Sequence, residues 1–139
     1  MADLIKISKL KPHPRNKELF DNVTGDKWEE FLESVRASGI IVPITITSDN
    51  TIVSGEQRVR ACQELGISEI PYIAKKYKAT DGLTIEDAIL RDLIESNLKQ
   101  RGKGNPNKVK LAKCIAELER IYKVRQGSSN EKGNNQFCG

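Results

Sequence analysis

The chain has 139 residues, which is enough for one domain with an ordinary core and too few for two full domains. Its three cysteines are odd in number and lack paired CxxC spacing, so neither a zinc site nor a disulfide framework is indicated. The formal net charge is +4, but segment 99–125 carries +7 and the remainder −3, which predicts a polyanion partner for the C-terminal part.

The first part of the chain predicts strands alternating with helices. Apolar and polar residues alternate from Leu4 to Ile7, which favours a short strand. A capping box at Asp26 predicts a helix that ends at Gly39. The β-branched run 40–47 is then expected to pair with 51–53 across a polar turn.

A strand, a tight turn and a helix N-terminus follow one another within residues 52–62. Ser54 and Gln57 have the spacing of a capping box, and Gly55 would let a ligand approach the backbone. Unpaired N–H groups at a helix N-terminus favour an anion, and Arg58 adds a fork of donors one turn inside. This stretch therefore predicts a phosphate site.

Glu56 is the exception in this stretch, because a carboxylate beside a bound phosphate would repel it. A bridging divalent cation or a ribose hydroxyl as partner would remove the conflict. The sequence therefore favours a nucleotide contact or a metal ligand at Glu56. The alternative is a capped surface helix in which Glu56 only complements the helix dipole.

The second part of the chain predicts one more strand and two helices. Residues 69–74 form the strand, in which Pro71 favours an edge position or the first residues. Thr84 with Asp87 caps a helix to about Leu98, and glycines interrupt segment 99–105. A last helix begins at Asn105 as cap with Pro106 at its first position, and its predicted apolar seam comprises Leu111, Ile115, Leu118 and Tyr122.

These elements predict an α+β fold with a small mixed sheet, packed helices and a C-terminal helical extension. The expected bounds are 1–80 for the α/β core, 81–126 for the helical extension and 127–139 for a polar linker or frayed end. The first residues lack a signal-peptide core, and no apolar run approaches the length of a membrane span. We therefore expect a soluble cytoplasmic protein that makes no membrane contact.

Three blocks, in this order along the chain, resemble the N-terminal domain of the ParB family, also called the ParB-like nuclease domain, in the ParB/sulfiredoxin superfamily. Segment 10–15 and the later segment 39–44 are similar to the family's opening loop and its G-x-x-x-P-I strand entry. Segment 55–61 is close to the G-E-R-R-x-R-A box. Segment 95–101 resembles the E-N-x-x-R box, although Ser96 separates Glu95 from the asparagine.

The resemblance implies a site for a nucleoside triphosphate, CTP or ATP, bound together with Mg²⁺. Its residues would be Gly55, Glu56, Gln57, Arg58 and Arg101, with Glu56 as the best candidate for a catalytic group. Gln57 stands where the family has an arginine, so the pocket loses one positive charge. This substitution predicts weaker binding or a different preferred nucleotide.

The resemblance assigns the magnesium ion to the third block. Hard oxygen ligands suit Mg²⁺, and the altered block leaves Glu95 and Asn97 as alternative ligands.

A DNA partner is also implied, because family members usually continue into a helix-turn-helix domain and a dimerisation domain. We expect the chain to be a fragment of a longer protein, and the resemblance also allows a homodimer. Four lysines could contact DNA phosphates, with a solvated helix face as the alternative: Lys103, Lys108, Lys110 and Lys113.

The sequence and the resemblance together predict a nucleotide-dependent switch domain of a DNA-binding protein of plasmid or chromosome partition or of regulation. At most, slow nucleoside triphosphatase activity is expected. A small-molecule kinase using Glu56 as general base, or a nuclease, is the alternative. Sulfiredoxin-like chemistry is not expected, because Glu56 stands where its nucleophilic cysteine would lie and Cys62 falls on the apolar side of the helix.

Overall fold

The computed structural model describes residues 3–80, 82–100 and 105–129, with side chains up to residue 123. The chain divides into two compact units, Met1–Lys76 and Tyr77–Gly139. None of the helices in the described part of the chain has the length and hydropathy that a membrane span requires.

The first unit is built on a mixed sheet. Its described strands are β1 (Asp3–Lys6), β2 (Ile44–Ile46), β3 (Ile52–Ser54) and β4 (Glu69–Ala74), in the spatial order β1-β4-β2-β3. β4 pairs antiparallel with β1 and parallel with β2, and β2 pairs antiparallel with β3. The predicted hairpin across 48–50 is confirmed, with Asn50 at the positive φ of 69° that its turn requires.

Three helices and one short 3₁₀ turn at Ile7–Lys9 complete the first unit. The helices are α1 (Asn16–Leu19), α2 (Gly25–Ser38) and α3 (Glu56–Leu65). The second unit contains α4 (Ile85–Gln100) and α5 (Lys108–Ser129) among its described residues. This combination of a mixed sheet with packed helices confirms the predicted α+β class.

The core of the first unit comprises two apolar clusters, and α3 contributes to both. Its Val59 and Cys62 pack with the sheet residues Ile44, Ile46, Ile52 and Ile70. On another side of α3, Ala61 packs against Trp28, Leu32 and Val35 of α2. Helix α3 is therefore held between the sheet and α2, which fixes the position of its first turn. Cys62 is fully buried and burial raises the pKa of its thiol, as expected for an unreactive cysteine.

Of the two positions predicted for Pro71, the edge of the sheet is wrong and the first residues of the strand are confirmed. This proline is the third residue of β4, which lies between β1 and β2 and is not an edge strand. The register explains why a proline is tolerated, since β4 pairs with β2 only from Tyr72 onward. At Pro71, β1 is the one described strand that pairs with β4, through the pair with Leu4.

Two of the predicted helix starts are also wrong. Helix α2 follows Thr24, which makes no side-chain capping bond, so Asp26 lies inside the helix. Helix α5 begins at Lys108, and its cap is Asn107, whose Oδ1 accepts a hydrogen bond from the backbone N–H of Lys110 at 3.1 Å. By contrast, the capping of α4 by Thr84 is confirmed, since Thr84 Oγ1 accepts from the N–H of Asp87 at 3.0 Å.

The apolar face of α5 is rotated relative to the predicted seam. Cys114 and Ile121 are fully buried, whereas Ile115 and Tyr122 are 46% and 37% exposed. Both sets follow helical spacing, so the pattern alone does not choose between them. The helix also continues to Ser129 and so includes the first residues of the predicted linker. The remainder of that linker, 130–139, lies outside the described residues, as does most of the predicted break at 99–105.

Candidate functional site

The turn between β3 and α3 is centred on Gly55, which is buried and has a φ of 113°. A β-carbon at this position would lie 2.4 Å from Ile44 Cγ2 and 2.9 Å from Ile44 Cβ. Ile44 is itself fully buried in β2. Glycine is therefore required here by the backbone conformation and by the close packing of the sheet, in addition to any ligand that approaches the turn.

Glu56 is the first residue of α3 and carries an unsatisfied polar atom. Its Oε1 is buried and has no hydrogen-bond partner in the described part of the protein. Burial raises the pKa of Glu56, and the positive charge of Lys17 lowers it in part. A buried carboxylate oxygen without a partner is costly, so this atom is suited to accept a donor from a ligand or to bind a divalent cation.

Gln57 does not form the predicted capping box with Ser54, because α3 has no side-chain cap. Its Oε1 instead accepts from the N–H of Val23 at 2.9 Å and from Arg60 Nη1 at 3.0 Å. Its Nε2 donates to Asn22 Oδ1 at 3.0 Å. The carboxamide therefore ties the first turn of α3 to the segment that leads from α1 to α2.

Arg58 is half-buried in the first turn of α3. Its Nη1 donates to the carbonyl oxygens of Val42 and Pro43, at 3.2 and 3.0 Å, in the segment that enters β2. Burial lowers the pKa of the guanidinium, although an arginine stays protonated at neutral pH. Nε and Nη2 bond to none of the described residues, so two edges of the planar fork remain suited to an anion.

Arg60 is part of the structure of this turn, and the sequence analysis did not single it out. Its guanidinium lies 3.7 Å from the ring centroid of Trp28, and Nη1 donates to the carbonyl oxygen of Val23 at 2.8 Å. Trp28 Nε1 in turn donates to Glu64 Oε1 at 3.2 Å. The i, i+3 spacing of Gln57 and Arg60 was the available signal that both face the same side of α3.

The candidate metal ligands lie on α4 in the second unit. Glu95 is exposed and its Oε2 accepts a hydrogen bond from the hydroxyl of Tyr122. Asn97 is buried, and its Nδ2 donates to the carbonyl oxygen of Leu93 at 2.7 Å. Residues two apart on a helix do not share a face, so these two side chains would not bind one ion together without a change in α4.

Other predicted site residues lie on α5 or outside the description. Lys108 and Lys113 are exposed and Lys110 is half-buried on α5. Arg101 and Lys103 lie outside the described residues. Within residues 3–80, 82–100 and 105–129, no group of three or more His, Cys, Asp or Glu side chains is arranged to hold a metal ion.

Comparison with protein families gives a match over residues 2–93 to the ParB N-terminal domain. This match covers more than half of the chain. The chain belongs to the ParB N-terminal domain family. The turn at Gly55–Arg58 lies within the matched residues, whereas the third block, 95–101, lies just beyond them.

Curated relatives of this ParB N-terminal domain are chromosome-partitioning proteins. One is the probable chromosome-partitioning protein ParB of Rickettsia bellii, 32% identical over 98 residues that cover 70% of this chain and 33% of the relative. Another is the probable chromosome-partitioning protein ParB of Coxiella burnetii, 33% identical over 102 residues, covering 71% of this chain and 32% of the relative. The chain therefore spans about a third of the length of these relatives.

Solved structures of ParB proteins share the fold of this ParB N-terminal domain. A pNOB8-like ParB N-domain matches with a TM-score of 0.63 at 21% identity, over 95% of this chain and 46% of that one. The C-terminally truncated ParB of Caulobacter crescentus, complexed with the centromeric parS site, matches with a TM-score of 0.58 at 22% identity, over 94% and 63% of the two chains.

Proposed function

We propose that this chain is the nucleotide-binding switch domain of a ParB-like DNA-binding protein of chromosome or plasmid partition, or of regulation. A nucleoside triphosphate, CTP or ATP, binds with Mg²⁺ at the turn formed by Gly55, Glu56 and Arg58. The observation that carries the proposal is the buried Oε1 of Glu56, which has no hydrogen-bond partner among the described residues. It lies one residue after a glycine turn, with donors of Arg58 in the same helical turn.

The chemistry of this turn fits a magnesium–nucleotide complex better than a bare anion. Backbone N–H groups at the start of α3 and the guanidinium of Arg58 favour phosphate. The carboxylate of Glu56 would repel a bare phosphate, but it suits a hard cation or a hydroxyl donor of the nucleotide. Bound Mg²⁺ would neutralise phosphate charge, with Glu56 as its proposed protein ligand at this turn.

Hydrogen bonds and packing within the first unit hold the turn in a fixed conformation before a ligand binds. Gln57 and Arg60 hold segment 22–23 against α3, and the packing of Gly55 on Ile44 fixes where α3 begins. Because the turn is already held in this way, ligand binding costs it little conformational entropy.

Binding of the four ribonucleoside triphosphates, each with and without Mg²⁺, tests the proposal. We expect CTP or ATP to bind measurably in isothermal calorimetry, and more tightly with Mg²⁺, because the ion screens phosphate from Glu56. The absence of binding for all four triphosphates at millimolar concentration would refute the nucleotide site. Stoichiometric phosphorylation of an added acceptor hydroxyl would instead favour a kinase.

DNA binding is a second part of the proposal. The Caulobacter relative is a complex with the centromeric parS site, and α5 of this chain presents Lys108 and Lys113 at the surface with Lys110 half-buried between them. Basic side chains on a helix give salt-dependent, sequence-independent contacts to DNA phosphates.

Replacing Lys108, Lys110 and Lys113 with alanine is expected to weaken non-specific DNA binding. The slope of log affinity against log salt should fall by about 0.9 for each phosphate contact that is lost. Nucleotide affinity should stay the same, because the proposed nucleotide contacts are made by the turn of Gly55, Glu56 and Arg58 and not by these lysines. The matched control carries the same charge change at exposed lysines of the first unit: Lys9, Lys27 and Lys76. Equal slopes in the two triple variants would show that α5 presents an ordinary solvated face.

A further inference from the structure

The carboxamide of Gln57 is engaged by hydrogen bonds within the first unit. Its Oε1 accepts from the N–H of Val23 at 2.9 Å and from Arg60 Nη1 at 3.0 Å, and its Nε2 donates to Asn22 Oδ1 at 3.0 Å. An amide oxygen has two lone pairs, and these two donors occupy both of them. A ligand could therefore use the oxygen of Gln57 only by breaking a bond that the fold already makes.

Arg60 extends these bonds into the interface between α2 and α3. Its Nη1 also donates to the carbonyl oxygen of Val23 at 2.8 Å, and its guanidinium lies 3.7 Å from the ring centroid of Trp28. The N–H and the carbonyl oxygen of Val23 are thus both bonded to side chains of α3, the first to Gln57 and the second to Arg60. The segment that precedes α2 is therefore fastened to the start of α3 at two points.

The first turn of α3 is also fastened to a second segment, the one that enters β2. Arg58 Nη1 makes this connection through the carbonyl oxygens of Val42 and Pro43. Glu56, Gln57 and Arg58 are successive residues of one helical turn, so fixing two of them fixes the direction of all three. The bonds of Gln57 therefore help to set where the Oε1 of Glu56 and the remaining donors of Arg58 point.

We propose that Gln57 is a positioning residue of the nucleotide site, which makes no contact with the ligand itself. Through its bonds to segment 22–23 and Arg60 it sets the orientation in which Glu56 and Arg58 meet the ligand. This inference rests on the proposed nucleotide site. It implies that the acceptor at position 57 matters more for binding than a positive charge there would, so a cation at this position should weaken binding.

Gln57→Arg is expected to weaken triphosphate binding by about fivefold or more, although it adds a positive charge. An arginine has no acceptor for the N–H of Val23, and like charges three residues apart on a helix repel, so Arg60 would be displaced as well. Calorimetric titration of the full chain with CTP and Mg²⁺, or with ATP if the unmutated protein prefers it, measures the change. Equal or tighter binding would show that position 57 faces the phosphates and would overturn the inference.

Gln57→Met separates geometry from charge, because it removes all three bonds and leaves the charge of the turn unchanged. Triphosphate affinity should fall by about fivefold. The matched control is Glu64→Ala, which removes the acceptor that Trp28 Nε1 bonds at 3.2 Å near the other end of α3. Both variants should melt at temperatures lower by roughly 4–8 °C, but only Gln57→Met should lose affinity. Unchanged affinity in Gln57→Met, or an equal loss in Glu64→Ala, would contradict a positioning role.

Trp28 reports on the position of Arg60, because it is the only tryptophan in the sequence and the guanidinium lies over its ring. The emission maximum of Gln57→Met should move toward that of Arg60→Ala, in which the ring has lost its cation. Gln57→Glu keeps an acceptor oxygen for Val23 and Arg60, so it should restore the emission of the unmutated protein. An unshifted maximum in Gln57→Met would show that Gln57 does not hold Arg60, and the inference would then be wrong.

The inference and the proposed function can fail separately. If the unmutated protein binds the triphosphate and Arg58→Ala binds it more weakly, the nucleotide site stands whatever the variants of Gln57 show. If the unmutated protein binds no triphosphate, the nucleotide site and the role of Gln57 in it are both wrong.

Discussion

Arg58→Ala is expected to reduce triphosphate affinity between roughly tenfold and more than a hundredfold. A charge-assisted contact in a partly buried site contributes about 1.5–3 kcal/mol, and the available donors of Arg58 are Nε and Nη2. Calorimetric titration with CTP or ATP and Mg²⁺ measures the loss. Arg58→Lys should recover only part of it, because the ammonium keeps the charge but not the fork that can bond the Val42 and Pro43 carbonyls together with a phosphate.

The same substitution has a structural cost that must be separated from the loss of binding. Removing the bonds from Nη1 to the two carbonyl oxygens should lower the free energy of unfolding by about 1 kcal/mol. Titrations well below the melting temperature of the variant keep it folded. The control is Arg36→Ala, whose exposed guanidinium pairs with Glu33 on α2. Normal nucleotide binding by a folded Arg58→Ala variant would show that this turn does not hold phosphate.

Gly55→Ala is expected to destabilise the first unit by about 2–5 kcal/mol. The new methyl group would lie 2.4 Å from Ile44 Cγ2 and the backbone would be held at a φ of 113°, so overpacking and backbone strain add together. Urea unfolding followed by circular dichroism gives the loss. The loss of stability should appear as a lower urea concentration at the midpoint of unfolding. The slope of the free energy of unfolding against urea concentration should stay unchanged, since the surface exposed on unfolding stays the same.

Gly66→Ala is the matched control, because Gly66 also has a positive φ, 75°, at the other end of α3, and a β-carbon there meets nothing within 4 Å. It should cost only the left-handed backbone penalty of about 1–2 kcal/mol. Adding Ile44→Ala to Gly55→Ala should cost less than the two single changes together, since the smaller side chain relieves the overlap. Equal losses for the two glycine variants would show that packing against Ile44 is not the cause.

Features that depend on neighbouring residues could be predicted from the sequence. The bounds of β4, the hairpin of β2 and β3, and the Thr84 cap of α4 agree with the structure, because turn residues, capping groups and alternation act over a few positions. The burial of Cys62 follows in the same way from helical spacing. The order of three motif blocks predicted the ParB family, and the family match confirms it.

Local patterns were not sufficient where a side chain has its hydrogen-bond or packing partner in a distant part of the chain. Gln57 was expected to cap its own helix, but it bonds to Asn22 and Val23, more than thirty residues away. Pro71 was predicted either at a sheet edge or among the first residues of its strand, and the point at which β2 begins to pair decided for the second position. In α5, two apolar faces had equally good spacing, and only packing decided for Cys114 and Ile121.

Residue types in local patterns were enough to predict the family, the class of fold and the turn at which a ligand is proposed to bind. Which polar atoms around that turn already have a hydrogen-bond partner depends on how distant elements pack. Gln57 and Arg60 are engaged with segment 22–23 and Trp28, whereas Oε1 of Glu56 is buried and has no partner in the part of the chain that the structure describes. The partners that occupy a side chain come from other elements, and no local pattern encodes how those elements meet.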